Sequence, residues 1–493
     1  MHGTRCPARI ALACALVGAV LAGCASLAPP DEVPTLALTD QWKSEAPAGW
    51  VDAGARQDWQ SGRWWAMFGD AQLDALVPGV EAGNQNIALA VASVAQAQAL
   101  LTQARAQLAP TVGAQLGTQR SGSSAGGSAS LGLNASWAPD LWQRLGDAAR
   151  AQQASLQASE ADLAGARLAA QASLAQAYFS LREADAEIGL MDEIIVGYER
   201  AATITGNRYA AGIAAHTDLL QAQSQLAGAR STRASLARSR ATYEHAIALL
   251  LGRPPAAFAL PAAPWVARVP AVPPGVPSEL LLRRPDVAAA ERTVAAANAR
   301  IGVARAAWFP SFTLSASVGG GASDLARLVS APTLAWSLGA ALAQTLLDAG
   351  ARDAALAQTL LDAGARDAAL AQAVAAHEGA SASYRQTALT AMGQVEDQLT
   401  ALAALATQID HQKAAAEAAA GAEQRIMNSY QAGISAYTDV VSAQASALSA
   451  RRTLMQLQLQ RQQAAVALVQ ALGGGWHAAG ADSAGADTAA SPG

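Results

Sequence analysis

Thiols are nearly absent from this sequence: 493 residues carry only Cys6, Cys14 and Cys24, all near the N-terminus. The body of the chain therefore has no pair from which to build a disulfide. Six histidines are scattered with none at metal-ligand spacing, and no Gly-rich phosphate loop follows a strand. No catalytic chemistry, metal or cofactor is expected. Charged residues make up 14% and aromatics 5%, a poor recipe for one thick globular core. Net charge is −5, so nothing points to nucleic acid, and lysine occurs only at 43 and 413. Beyond the N-terminus, Arg, Asp, Glu or Gln interrupts the apolar stretches within every twenty residues. No later segment reads as a transmembrane helix, and a membrane-spanning role must rest on strands.

What is present is alanine, suited to helices packed closely through small side chains. Arg5 and Arg9 precede the apolar run Ile10 to Leu21, the n- and h-regions of a secretory signal. The run ends Leu21-Ala22-Gly23-Cys24, which resembles the bacterial lipobox, after which the cysteine is acylated and becomes the first residue. An ordinary signal with an incidental cysteine is the alternative. Processing would leave Cys24 as the sole cysteine. Ala25 rather than Asp follows it, which by resemblance to lipoprotein sorting favours the outer membrane.

The chain repeats itself. Tyr209-Ala-Ala-Gly-Ile-Ala-Ala-His-Thr-Asp218 returns as Tyr430-Gln-Ala-Gly-Ile-Ser-Ala-Tyr-Thr-Asp439, and Asn84 to Pro110 resembles Arg284 to Pro310 without a gap. A period near two hundred residues means two copies of a domain half. The reading is a signal over 1–23, an N-terminal arm over 24–81, a first repeat over 82–253, a Pro-rich linker over 254–283, a second repeat over 284–476, and a disordered tail over 477–493. Each repeat predicts a helix (82–109; 285–308), a Gly/Ser-rich hairpin (111–119 with 128–137; 311–318 with 333–346), a long helix (141–209; to about 429) and a return helix (217–251; 438–472). More than sixty proline-free residues make roughly 100 Å of helix. Leu174, Leu181, Ile188 and Ile195 form a heptad seam, four residues out of phase with Leu156 and Leu163.

Two hairpins make four strands, too few to close a barrel, and an open edge in lipid leaves amides unpaired. Three copies would supply about twelve strands around an aqueous bore. Trp137, Trp142, Trp308, Phe309, Phe312 and Trp336 cluster at strand ends, where an aromatic girdle or ordinary strand-to-helix packing would place them.

The order lipobox, Trp65-x-x-Phe68-Gly-Asp-x-Gln-Leu-Asp74, helix, hairpin, Ser136-Trp-x-x-Asp-Leu-Trp142, long helix and Tyr-x-x-Gly-x-x-x-x-Thr-Asp, then the set repeated, resembles the TolC-like outer-membrane efflux channels, above all their lipoprotein branch. The resemblance covers about residues 21 to 476. It implies a mainly α fold: long antiparallel coiled-coil helices form a periplasmic tunnel, and two β-hairpins per chain contribute to a twelve-stranded barrel in a homotrimer. It also implies outer-membrane lipid, a periplasmic adaptor and an inner-membrane transporter as partners, with the chain a passive duct for drugs, toxic compounds or metal ions. A type I secretion channel, or a pore-free periplasmic scaffold or adhesin, is the alternative.

In the doubled motif, Gly212 and Gly433 suit the left-handed position that ends a helix. Thr217 and Thr438 suit the N-cap of the next, with Asp218 and Asp439 in its first turn. Capping alone accounts for all six. The resemblance adds that Tyr430 and Asp439 match the entrance constriction, where Asp218 would converge with them, and that the glycine turns dock the adaptor. Ser435 stands where TolC itself carries a basic residue, so an ionic lock needs another donor, with Arg208 the candidate.

Residues 341–354 recur identically at 355–368. Identity without drift marks a recent tandem copy or an error of sequence assembly. A helix that absorbed fourteen residues would outgrow its neighbours by about 21 Å, so looping out at the strand-to-helix junction is expected.

Overall fold

Among the described residues, Ala- and Gln-rich stretches with few helix breakers form seven α-helices, and Gly/Ser stretches form four strands. The helices are α1 (Ala71–Gly83), α2 (Gln85–Ala106), α3 (Arg144–Ala210), α4 (His216–Leu250), α5 (Pro285–Ala306), α6 (Ala365–Gln431) and α7 (Tyr437–Ala471). The strands are β1 (Thr111–Arg120), β2 (Gly127–Trp137), β3 (Ser311–Ala322) and β4 (Thr333–Ala343). The structure is a computed structural model describing residues 26–36, 41–43, 62–120, 127–270, 283–323, 327–328, 333–344 and 365–476. The signal, Cys24 and the C-terminal tail lie outside these residues.

The duplication is quantitative. α2 and α5 both have 22 residues, α3 and α6 both 67, and α4 and α7 both 35. The long helix of the second repeat is therefore no longer than its counterpart in the first. The first copy begins as the last three residues of β4, and the second ends as the first four residues of α6. The rest of both copies, over 345–364, lies outside the described residues, and the looping-out expectation falls there.

Contacts divide the chain into two units, each drawn from both repeats. The first holds Met1–Leu36, Ala92–Glu160 and Ala289–Gln386, and contains the sheet. Its order is β1-β2-β3-β4, antiparallel throughout, so β2 and β3 join the repeats edge to edge. Beside it, Leu156 of α3 packs on Ala97 and Leu101 of α2.

The second unit holds Ala37–Val91, Ala161–Ala288 and Thr387–Gly493. The Trp-x-x-Phe-Gly-Asp motif, expected within an arm, folds here into a 3-10 turn (Trp64–Phe68) followed by α1. Asp70 caps α1, accepting from the Gln72 and Leu73 amides at 2.9 and 3.1 Å. Trp64 and Phe68 are buried, with the Phe68 ring 5.1 Å from that of Phe179 in α3. The Tyr178 hydroxyl donates to both Asp70 oxygens at 2.9 Å, and burial pushes its pKa up to about 12. The motif thus pins α1 to α3. Each repeat also ties its first helix to its last: Asn84 Nδ2 donates to Leu250 O at 3.0 Å, and Arg284 Nη1 donates to Ala471 O at 2.9 Å.

The seam of α3 departs from the expected heptad. Leu174 and Leu181 are fully buried, but Ile188 and Ile195 are only half-buried. Three residues later the buried line resumes as Met191, Tyr198 and Thr205. A helix with 3.6 residues per turn drifts against a strict seven-residue repeat, and here the seam slips instead of the supercoil tightening.

One α3 carboxylate is held under strain of charge. Glu183 is buried beside Glu187, which in turn accepts from Arg452 of α7 at 3.3 and 3.4 Å. Burial, then the Glu187 carboxylate, pushes the Glu183 pKa up to about 7. Because this folded-state value is raised, the penalty for ionising Glu183 is absent below about pH 4.5, grows with pH, and is complete above about 7. Glu183→Gln is therefore expected to stabilise the chain by up to about 3 kcal/mol at pH 8 and by nothing near pH 4.5, read as heat midpoints in detergent. An equal gain at both values would mean that Glu183 is not held above its ordinary pKa.

Deleting 355–368 yields the same chain as deleting 341–354, because the copies are identical. The shortened chain is expected to keep its helical circular dichroism and its oligomeric state. Loss of either would make the duplicated segment structural.

Candidate functional site

Two places carry functional geometry, one in each unit. The first is the sheet. Along each strand apolar and polar residues alternate with period two, and the register brings every apolar set to one face. Leu116 opposes Leu131, Leu133 opposes Val318, and Val318 opposes Trp336; Trp137 opposes Leu314, and Phe312 opposes Leu342. The other face carries Gln115, Ser130, Asn134, Ser315, Ser317 and Ser337, with the Ser317 and Ser337 hydroxyls 2.9 Å apart. The apolar face is bare: Leu334, Trp336 and Leu338 are 75–77% exposed. One edge each of β1 and β4 has no strand partner among the described residues.

Five of the six predicted girdle aromatics do gather where strands meet helices. Trp142 stacks on Phe309 at 4.6 Å and donates to Pro310 O at 2.8 Å, while Trp137 donates to Leu108 O at 3.0 Å. Trp308 and Phe312 flank the start of β3. Trp336 does not join them; it lies inside β4, opposite Val318. The sequence reading noted the composition of these strands but missed their alternation, the signal that identifies a two-faced sheet.

The second place is the pair of helical tips. α3 ends in a Schellman turn: Gly212 N donates to Tyr209 O at 2.9 Å and Ile213 N to Arg208 O at 2.8 Å. α6 ends identically, with Gly433 N to Tyr430 O at 3.0 Å and Ile434 N to Ser429 O at 2.9 Å. Gly212 and Gly433 have φ of 71° and 77°, the left-handed conformation that L side chains rarely adopt.

The threonines do not have the expected role. α4 and α7 begin at His216 and Tyr437, and their N-caps are Ala215 and Ala436, neither of which has a side-chain oxygen. Thr217 and Thr438 already lie within the first turn, exposed. The alanines adopt the extended cap conformation (ψ 150° and 155°), and in α7 the cap amide is satisfied in reverse: Ala436 N donates to Asp439 Oδ2 at 3.3 Å. Asp439 is exposed and Asp218 half-buried.

Tyr430 is buried. Its ring lies 5.4 Å from that of Tyr437, in a cluster with Val440 and with Ala222 of α4. The Arg208 guanidinium sits over the Tyr430 ring at 5.0 Å. Arg208 is thus engaged with an aromatic face, and among the described residues no carboxylate pairs with it. Burial, then the neighbouring Tyr430, Tyr198 and Asp218, pushes the Tyr437 pKa up to about 12. The corresponding pair in the first repeat, Tyr209 and His216, stacks at 5.0 Å, with Tyr209 exposed. Ile213 and Ile434, which follow the two glycines, are 67% and 82% exposed and escaped the sequence reading. An apolar residue after the helix-ending glycine usually packs back on the helix; the same exposed side chain in both copies was the available signal. Among the described residues no cluster of His, Asp and Glu could hold a metal ion.

A family described as outer membrane efflux protein matches residues 76–253 and 276–474. The pyoverdine export outer membrane protein OpmQ of Pseudomonas aeruginosa is 33% identical over 94% of this chain and 96% of its own. The cation efflux system protein CusC of Escherichia coli is 29% identical over 93% and 97%. Among solved structures, a Pseudomonas aeruginosa membrane protein aligns over 91% of this chain and all of its own, with a TM-score of 0.80 and 29% identity. The open state of the Neisseria gonorrhoeae MtrE outer membrane channel aligns over 92% and 98%, with a TM-score of 0.77 and 27% identity.

A Cβ added at Gly212 or Gly433 meets nothing within 4 Å, so an alanine there costs only its backbone strain. Each Gly→Ala change is expected to destabilise by about 1–2 kcal/mol, and Gly→Asn by less. Heat midpoints check this, and an alanine as stable as the glycine would show that the turn does not need the left-handed residue.

Proposed function

This chain belongs to the outer membrane efflux protein family, and from that membership we propose that it is the passive exit duct of a tripartite efflux system, with three copies forming one channel. The two-faced, open-edged sheet carries the reading. An exposed apolar face fits lipid hydrocarbon, and a face of Ser, Gly, Asn and Gln fits an aqueous bore. Unpaired amides cannot remain in hydrocarbon, so the β1 and β4 edges must find partners, and a copy of the same sheet is the natural one. Four strands are too few to close; three copies supply about twelve, enough to leave water inside.

The long helices then form the periplasmic tunnel, and the energy comes from an inner-membrane transporter through a periplasmic adaptor. The tips at Gly212 and Gly433, with Thr217 and Thr438 exposed beside them, dock that adaptor. Asp218 and Asp439 place two carboxylates per chain at the entrance, and Tyr430 acts there as a buried strut beneath Arg208 and not as a lining hydroxyl. Acylation at Cys24 anchors the chain in the outer membrane, where two acyl chains suffice for stable attachment. The cargo is of the small-molecule or metal-ion class, as the names of OpmQ and CusC indicate for those relatives.

Planar-bilayer recording of the purified chain is expected to show discrete channel openings, and a chain that never conducts would sink the reading. Asp218→Asn with Asp439→Asn is expected to alter conductance or its block by divalent cations. Behaviour unchanged across pH and divalent concentration would leave the aspartates only their helix-starting role.

A further inference from the structure

Where the strands meet the helices, packing in the first unit leaves a cavity of about 320 Å³. Its lining is partly aromatic: Trp142 stacks on Phe309 with an interplanar angle of 24°, and Phe312 sits at the end of the apolar face, paired with Leu342. Two arginines line it as well, Arg144 exposed and Arg366 half-buried. Asp140 is the one acidic residue among the described lining, and its Oδ2 accepts from the Gly146 amide at 2.6 Å. The Trp142 indole is likewise committed, to Pro310 O. The cavity therefore combines ring surface with an excess of positive charge.

Its position decides what could fill it. Arg144 opens α3 soon after β2, and Arg366 is the second residue of α6, which follows β4. In the sequence each stands four residues after an aspartate, Asp140 and Asp362, so the two repeats contribute matching arginines to a single cavity. With the apolar face in lipid, the strand ends beside them are where hydrocarbon gives way to headgroups. An interfacial girdle needs only side chains that reach water, and it can be fully packed. A space bordered by guanidinium groups is too polar to stay dry. A phosphate diester suits it, because two of its oxygens match the planar fork of a guanidinium.

We propose that this cavity is a headgroup site for a phospholipid of the leaflet on the helix side, its phosphate held by Arg144 and Arg366 and its glycerol end lying along Phe309 and Phe312. The proposal rests on the membrane reading of the sheet above. A bound phosphate bridges the starts of α3 and α6, one from each repeat, so the lipid braces the junction from which both long helices depart.

The test uses the full-length chain purified in detergent, read by native mass spectrometry and by heat midpoint. Three probes are added at equal concentration: dioleoylphosphatidylglycerol, dioleoylglycerol and inorganic phosphate. Only the phosphatidylglycerol is expected to be retained and to raise the midpoint. Arg144→Ala with Arg366→Ala is expected to weaken its retention by about tenfold or more, the scale of one lost hydrogen bond to a charged group, with the lipid-free midpoint unchanged. Arg144→Lys with Arg366→Lys keeps the charge and loses the fork, so its retention should fall between. Should the alanines lower the lipid-free midpoint, this lysine pair carries the test. Equal retention of dioleoylglycerol would mean that acyl chains alone fill the cavity. An equal gain from inorganic phosphate would make it a site for free anions, and native retention in both arginine variants would leave the guanidinium groups no part. Any of these three results overturns the site. Lost lipid retention with intact channel conductance would do so alone, whereas a chain that neither conducts nor inserts into vesicles overturns the membrane reading first.

Discussion

Backbone amides in hydrocarbon must be paired within protein, and a four-stranded sheet with two open edges cannot meet that condition alone. Most of what is unusual here follows from this constraint. It explains why the apolar residues of β1 to β4 share one face: a one-residue slip in any pairing would turn that strand's Leu and Trp side chains toward the polar side. It explains why β2 pairs with β3, since that ladder removes two of the four edges that separate hairpins would expose. The two that remain, on β1 and β4, set the demand for further copies.

The halves have kept their helices and varied their loops. Three helix pairs match in length to the residue, while more residues separate the two strands, and the second strand from the long helix, in the second half. Helices packed side by side must present their contacts at matched heights, and one additional residue rotates everything beyond it by about 100°. Length added outside the helices bears no such penalty. The tips show the opposite divergence, in chemistry at constant geometry: Tyr209 and His216 are replaced by Tyr430 and Tyr437, and only the second pair is buried.

Features of the fold that depend on local pattern were legible in the sequence. Helix identity and the glycine turns at 212 and 433 follow from composition and φ preference, and both were placed correctly. The threonine caps were not, because the cap is set by which residue turns extended, here Ala215 and Ala436, and an aspartate three residues on can satisfy the cap amide in place of a hydroxyl. The heptad through Ile188 and Ile195 failed because neighbouring helices, not the sequence repeat, decide where the seam runs. Contacts such as Asn298 with Pro29 span 269 residues and leave no local trace. The alternation in the strands, by contrast, was present in the sequence, with the small residues between the leucines obscuring it.

The tip chemistry limits how any closure there can work. The Arg208 guanidinium lies over the Tyr430 ring. A cation–π contact at a partly exposed site is worth roughly 0.5–1 kcal/mol, and an exposed ion pair about the same. Moving Arg208 from the ring to a carboxylate would exchange one small term for another and could not by itself hold a channel shut. The aspartates differ, because bringing two per chain together across several chains raises a repulsion that grows with every copy and falls when a cation binds. Under the entrance role proposed for these tips, closure would depend on what neutralises Asp218 and Asp439 together, with Arg208 packed over the Tyr430 ring.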